Sequence, residues 1–352
     1  MPAIQGKSAA KVLVSGANGY IAIWVVRTLL ERGYSVRGTV RSAEKGRHLL
    51  DIFKGYGDKI EVVVVEDITT EGAFDEAVKG VDAIAHTASP FHLKAVDPQE
   101  LIGPAVKGTV GMLASALKNG SSVQRIVVTS SCAAILHVSP EPKVFSEVDW
   151  NEQSIKEVGE QGKDASGIAK YRASKTLAER AAWDFYKKHK HEIQWDLAVI
   201  NPPFVFGPFI HDSPSIDSLN ESARVWYSTV AKADAGGRSP EFLATQGSCW
   251  IDVRDLAEGH TRAMETPAAG DERIIISVGP FVWQDWIDTA NALSPSPIPS
   301  HTLPKGVPDG GKGAKHAVYY DTAKEKKIFG LKLRTMEETA RDTLADFERR
   351  GW

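Results

Sequence analysis

Tyr171 and Lys175 are the residues whose types and spacing point most directly to chemistry. They open the segment Tyr171-Arg172-Ala173-Ser174-Lys175, and Leu177, Ala178, Ala181, Ala182 and Phe185 follow in the rhythm of a helix with one apolar face. Residues four apart on a helix share a side, so a phenol and an ammonium can serve one site. A phenol of pKa near 10 is a poor proton donor and acceptor at neutral pH, and a neighbouring cation stabilises its phenolate. Unit charges about 4 Å apart at an effective dielectric of about 20 interact by roughly 4 kcal/mol, an upper scale of about three pKa units. The same spacing arises by chance on helix surfaces, so the pair needs company. Ser131 supplies it. The strand-like run Gln124-Arg125-Ile126-Val127-Val128 ends in Thr129-Ser130-Ser131, and ligands of open α/β sheets sit beyond the carboxyl ends of strands. There the Ser131 hydroxyl can donate to a carbonyl oxygen.

A second constellation lies near the amino terminus. Lys11 to Ser15 reads as a short apolar strand, Gly16-Ala17-Asn18-Gly19 as a turn, and Ile21 to Arg32 as a helix. A strand, a glycine turn and a helix N-terminus together present backbone N–H groups to a pyrophosphate, which makes a dinucleotide the expected ligand. The spacing G-x-x-G-x-x-A, from Gly16 through Gly19 to Ala22, also fits a simple tight turn. Gly33 leads into a second strand, Tyr34 to Val40, closing a βαβ unit. NAD enzymes place an acid near the end of that strand to bind the adenosine ribose. Here the strand ends in Val40-Arg41-Ser42, and the first acid is Glu44. Arg41 and Lys45 instead suit a 2′-phosphate, so the expected cofactor is NADP(H). Arg37 and Arg47 are the other cations of this stretch.

These elements need a scaffold. Strand candidates at 11–15, 34–40, 60–65, 83–87, 124–130 and 197–201 alternate with helical patterns, which predicts an α/β fold with a doubly wound parallel sheet. Pro202, Pro203 and Pro208 break the last strand, so the chain leaves the sheet there. The expected division is a Rossmann domain over 1–206 with a strand and helix at 249–267 returning to it. Residues 207–248 and 268–352 form a smaller substrate-binding region, with 294–308 as a proline-rich surface connection. Trp226, Tyr227, Trp283 and Trp286 are expected in its core. At 352 residues, 42% hydrophobic and 25% charged, the chain is ordinary for a globular enzyme. A net charge of −3 gives no general attraction for nucleic acid or an anionic membrane. The N-terminal residues Met1 to Lys7 lack an apolar signal core and no stretch is suited to span a bilayer, so a cytoplasmic location is expected. Cys132 and Cys249 are the only cysteines and read as buried free thiols. The ten histidines are scattered, and no metal site is expected.

Taken together, these segments resemble the extended short-chain dehydrogenase/reductases. The likeness is strongest to the dihydroflavonol and cinnamoyl-CoA reductase branch and to fungal NADPH-dependent aldehyde, methylglyoxal and ketone reductases. It is carried by Ser15 to Ala22, Val36 to Ser42, Val65-Glu66-Asp67-Ile68, His86-Thr87-Ala88-Ser89-Pro90 and Val127 to Ser131. Tyr171 to Lys175, Asn201 to Pro208 and Ile251 to Ala257 extend it over nearly the whole chain. The resemblance implies that Tyr171 is the general acid, that Lys175 holds the nicotinamide ribose and tunes Tyr171, and that Ser131 orients the substrate carbonyl. It further implies that Gly16, Gly19 and the backbone of Tyr20 and Ile21 cradle the pyrophosphate. Asp67 and Ile68 would flank adenine, Thr87, Ala88 and Ser89 would line the cofactor cleft, and the segment from Pro202 to Val205 would hold the carboxamide. The substrate walls it implies are Leu136, Ile168 and Phe204, with Trp226 as a lid.

The resulting expectation is an NADPH-dependent carbonyl reductase for neutral, partly apolar ketones and aldehydes, because none of those four wall residues is a cation to pair with an anionic substrate. Two alternatives stand beside it. A nucleotide-sugar epimerase or dehydratase is disfavoured by Ala105, where such enzymes usually carry Asn. A redox sensor that binds NADP(H) without turnover has no use for a proton donor.

Overall fold

Short runs of valine, isoleucine and alanine form the centre of the molecule, since β-branched side chains suit a pleated surface covered on both faces. The computed structural model describes residues 3–4, 10–89 and 95–352. Among these the strands are β1 (Lys11–Ser15), β2 (Ser35–Val40), β3 (Ile60–Val64), β4 (Ala83–His86), β5 (Arg125–Thr129), β6 (Lys143–Phe145), β7 (Asp196–Asn201), β8 (Phe204–Phe206), β9 (Gly247–Asp252), β10 (Arg273–Ile275), β11 (Gly279–Val282) and β12 (Val318–Tyr320). The α-helices are α1 (Tyr20–Glu31), α2 (Ala43–Ile52), α3 (Gln99–Asn119), α4 (Glu152–Gln161), α5 (Gly167–His189), α6 (Glu221–Trp226), α7 (Pro240–Thr245), α8 (Val253–Glu265), α9 (Trp283–Ala292), α10 (Ala323–Ile328) and α11 (Met336–Arg350).

Seven strands make a parallel sheet in the order β10-β7-β5-β4-β1-β2-β3. The order reverses between β1 and β4, where Ser15 stands opposite His86, and a crevice opens at the carboxyl ends of these two strands. Successive residues of β1 point to opposite faces. Val12 and Val14 join a core with α1 and α8, whereas Leu13 joins the one built with Met112 and Leu113 of α3 and Ala182 of α5. Full burial of such a side chain contributes about 1.5–3 kcal/mol, so the apolar stripe of each helix holds it on its own face of the sheet. This is the doubly wound fold that the alternation predicts.

The smaller sheets differ from expectation. Asn201 ends β7, and after Pro202 and Pro203 the chain resumes as β8 in a three-stranded sheet of order β11-β9-β8. The returning strand at Cys249 therefore pairs with β8 and β11 and not with the main sheet, although α8 does pack on α1. The edge of the main sheet is instead β10, a strand expected in the smaller region. Three residues beginning with an arginine carry no readable periodicity, and Arg273 is accommodated there by Glu179, by the carbonyls of Glu147 and Asp149 and by the Trp150 ring. Cys132 and Cys249 are both buried free thiols. Pro90 of the quoted motif and Met1, Pro2, Gln5, Gly6 and Lys7 of the amino-terminal reading lie outside the described residues. Among those described, no helix is long and apolar enough to cross a membrane.

Candidate active site

Two elements bring the proton-handling residues together. Ser131 leaves β5 in an extended conformation and caps the short turn Cys132–Ala134, its Oγ accepting from the Ala133 N–H at 3.0 Å. Ser166 caps α5 by accepting from the Ala169 N–H at 3.1 Å, and this starts the helix in the phase that aims Tyr171 and Lys175 at the crevice. The Tyr171 hydroxyl is hydrogen-bonded to Ser131. Lys175 Nζ donates to Ser89 Oγ at 3.0 Å, and all four residues line one cavity of about 250 Å³. Burial pushes the Tyr171 pKa up, opposed by the Ser131 hydrogen bond. Burial also lowers Lys175 to about 8, opposed by the charge of Glu179. Charge pairing alone predicts the reverse for Tyr171. The structure corrects this: the ammonium is turned toward Ser89, 6.0 Å from the phenol ring centroid, and loss of hydration dominates. Tyr171 thus rests as a neutral phenol.

The glycine turn forms the next part of the same crevice. Gly16 has φ +63°, and a Cβ there would stand 3.2 Å from that of Ala88, so only glycine fits without strain. Gly19 caps α1 without a side-chain hydrogen bond, and the first turn carries no acid. Its N–H groups therefore open on the cavity that Gly16, Gly19, Tyr20, Ile21 and Ala22 line. Ser15 Oγ ties the ends of β1 and β4 by accepting from the N–H groups of Thr87 and Ala88, both at 3.0 Å. Beyond the glycines lies a second cavity of about 300 Å³ with Arg41, Lys45, Ile68 and Ala88 on its wall. The two share Gly16, Gly19, Thr87 and Ser89. An uncapped helix N-terminus at one end and Arg41 at the other fit a dinucleotide bearing an extra phosphate on its adenosine ribose. Arg41 has no hydrogen-bond or ion-pair partner among the described residues. Lys45 stands 3.6 Å from Asp212, and Arg37 is committed to Glu61 and the Ala77 carbonyl.

The profile of the NAD-dependent epimerase/dehydratase family matches residues 12–279. The chain belongs to this family. Similar members include the ketoreductase azaE of Aspergillus niger, 35% identical with 97% of this chain and 98% of that one covered. The NADPH-dependent methylglyoxal reductase GRE2 of Saccharomyces cerevisiae is 34% identical over 94% of this chain and 96% of its own. The crystal structure of Gre2 from Candida albicans in complex with NADPH superposes with a TM-score of 0.85 at 32% identity, covering 97% and 100%.

Within the epimerase/dehydratase frame, Gly16, Gly19, Tyr20, Ile21, Thr87, Ser89, Ser131, Tyr171, Lys175, Pro202 and Val205 all meet on the first cavity. Other expected residues do not. Asp67 is off both walls, its carboxylate accepting from the N–H and Oγ1 of Thr69, which holds its pKa down. Trp226 is no lid: it is 1% exposed, with ring centroids 5.7 Å from Trp286 and 6.0 Å from Phe347, because an indole on a short helix gains most by burial. Leu136 packs behind Ser131 on the cluster of Cys132, Ile135, Phe145 and Ile275, Phe204 stacks on Phe206 at 5.8 Å, and Ile168 is 54% exposed. None of the four lines either cavity. Asn220, Glu221 and Ser222 do line the first, and sequence reasoning missed them. They sit at the start of α6, a six-residue helix too short to show a period; the Asn-Glu-Ser cap signature was their one legible signal.

Proposed function

We propose that this protein is an NADPH-dependent carbonyl reductase that converts neutral, partly apolar ketones and aldehydes into alcohols. The observation that carries this reading is the hydrogen bond between Tyr171 and Ser131 at the end of a crevice fitted for a dinucleotide, with Lys175 on the same helix face. Relatives named as a ketoreductase and as NADPH-dependent methylglyoxal reductase support it.

NADPH, when bound, supplies the hydride. Gly16, Gly19 and the first turn of α1 would hold its pyrophosphate, Arg41 and Lys45 its 2′-phosphate, and Pro202 to Val205 its carboxamide. Ser131 and Tyr171 hold the substrate carbonyl oxygen by two hydroxyl groups, where negative charge develops. Tyr171 then gives its proton to that oxygen, and the phenolate left behind is stabilised by Lys175, which carries its charge below about pH 8.

Charge supports the preference for neutral substrates. Among the described residues lining the first cavity, the charged side chains are Lys175, already bonded to Ser89, and Glu221, paired with Arg224, so neither is free to receive a substrate anion. NADPH consumption with aryl ketones, keto esters, keto acids and sugar phosphates tests the reading. Turnover of the first two classes, with NADPH favoured over NADH, is expected. Cofactor binding without turnover would overturn it in favour of a sensor, and conversion of a nucleotide sugar without net NADPH consumption in favour of an epimerase.

A further inference from the structure

One helical turn beyond Lys175, α5 carries a glutamate that is 1% exposed. Glu179 Oε2 accepts from Asn201 Nδ2 at 2.8 Å and from Ser130 Oγ, and Oε1 accepts from Arg273 Nε. One carboxylate thereby joins α5 to the residue that follows β5 and to β7 and β10. Arg273 is itself immobilised, donating to the carbonyls of Glu147 and Asp149 with its guanidinium 3.6 Å over the Trp150 ring. A buried ion pair is a weak source of stability, since apolar residues of similar volume commonly serve as well. Its place under Lys175 gives it another role.

We propose that Glu179 is a positioning residue whose fixed, buried negative charge holds Lys175 in its protonated form for use at Tyr171. The inference rests on the catalytic reading of Tyr171 and Lys175. Residues four apart on a helix face one another, and in a low-dielectric surrounding the attraction offsets part of the cost of burying the ammonium. Among the other described residues around Lys175, the one further carboxylate on the cavity wall is Glu221, and its charge is already paired with Arg224. Tyr171 is a neutral phenol, Ser89 is neutral, and His86 on β4 is held neutral by burial, its pKa pushed down to about 3. Burial has brought Lys175 to about 8, with Glu179 the one charge opposing it. Without that charge, Lys175 would lose its proton near neutrality and could no longer stabilise the Tyr171 phenolate.

Competitive acetylation of Lys175 with acetic anhydride, read by mass spectrometry across pH, measures its protonation without calling on catalysis. Glu179→Gln is expected to lower the midpoint by about one pH unit, a tenfold rise in the reactive neutral amine at a given lower pH. Glu179→Asp, which keeps the charge, should recover most of the shift. Where the single variant fails to fold, Glu179→Gln combined with Arg273→Met removes both charges and strands neither; because the Arg273 cation partly offsets Glu179 at Lys175, a lowering in the same direction but smaller is expected. A folded variant of either kind whose Lys175 midpoint matches the parent's overturns the proposal, whatever its kcat. A parent protein that reduces no carbonyl compound would refute the proposed function alone, because the Lys175 midpoint would still decide the role of Glu179.

Discussion

Lys175 Nζ lies 3.0 Å from Ser89 Oγ and 6.0 Å from the centroid of the Tyr171 ring. The ammonium is anchored to the cofactor wall, and Tyr171 keeps its proton against Ser131. At that separation and a dielectric of about 20, the charge is worth roughly 3 kcal/mol to a phenolate. Burial outweighs it in the resting site, as the raised Tyr171 pKa records. For reduction this is the useful state. The proton to be given is present at the start, and Lys175 acts once it has left.

Tyr171→Phe removes the proton donor and leaves the crevice in place. Turnover should fall by on the order of a hundredfold or more, with NADPH binding nearly unchanged. Steady-state kinetics and a fluorescence titration check the two halves. Parent-like turnover would mean that Tyr171 is not the acid.

Arg41 and Lys45 should contribute unequally to cofactor choice. Among the described residues Arg41 makes no hydrogen bond or ion pair, so Arg41→Asp is expected to weaken NADPH by about 1.5–3 kcal/mol, with little change for NADH. Lys45 is half exposed and faces Asp212 at 3.6 Å, so Lys45→Ala should cost less. Titrating both variants with both cofactors tests this, and equal losses for NADPH and NADH would rule it out.

Stability should fall on mild acidification. Burial pushes His86 down to about 3 and His211 and His260 to about 4, below the ordinary value of about 6.5. At His260 burial prevails even though one ring nitrogen faces the Leu256 carbonyl at 2.8 Å, a contact that favours the charged form; the other nitrogen meets Thr129 Oγ1 at 2.6 Å. Between about pH 6.5 and 4 the unfolded chain takes up protons that the folded one refuses. The contribution is present above that window and is lost through it, at about 1.4 kcal/mol per pH unit for each histidine. Urea midpoints at pH 7 and pH 5 would show the drop, and identical midpoints would contradict it.

Trp226→Ala tests the reassignment of that residue from lid to core. Loss of about 3–5 kcal/mol is expected, seen as a lowered melting temperature, with an unchanged order of preferred substrates. A changed order at parent-like stability would return Trp226 to the substrate wall.

The sequence by itself determined whatever resides within one element. Gly16 and Gly19 between a strand and a helix, Tyr171 and Lys175 one turn apart on α5, Ser131 at the end of β5 and the six strands of the alternating pattern were all legible. In each case a local period or turn chemistry restricts the backbone directly. Tertiary structure decided which side chain reaches which partner. Arg37, Arg41 and Lys45 look alike in the sequence, yet one is spent on Glu61, one lines the second cavity and one faces Asp212. Arg273 and Glu179 are 94 residues apart and meet only because the three-residue strand β10 docks beside β7. The direction of the Tyr171 shift likewise turned on burial and on where Lys175 points. Long-range contacts and desolvation leave no period in the chain, because they depend on which surfaces the folded layers bring face to face.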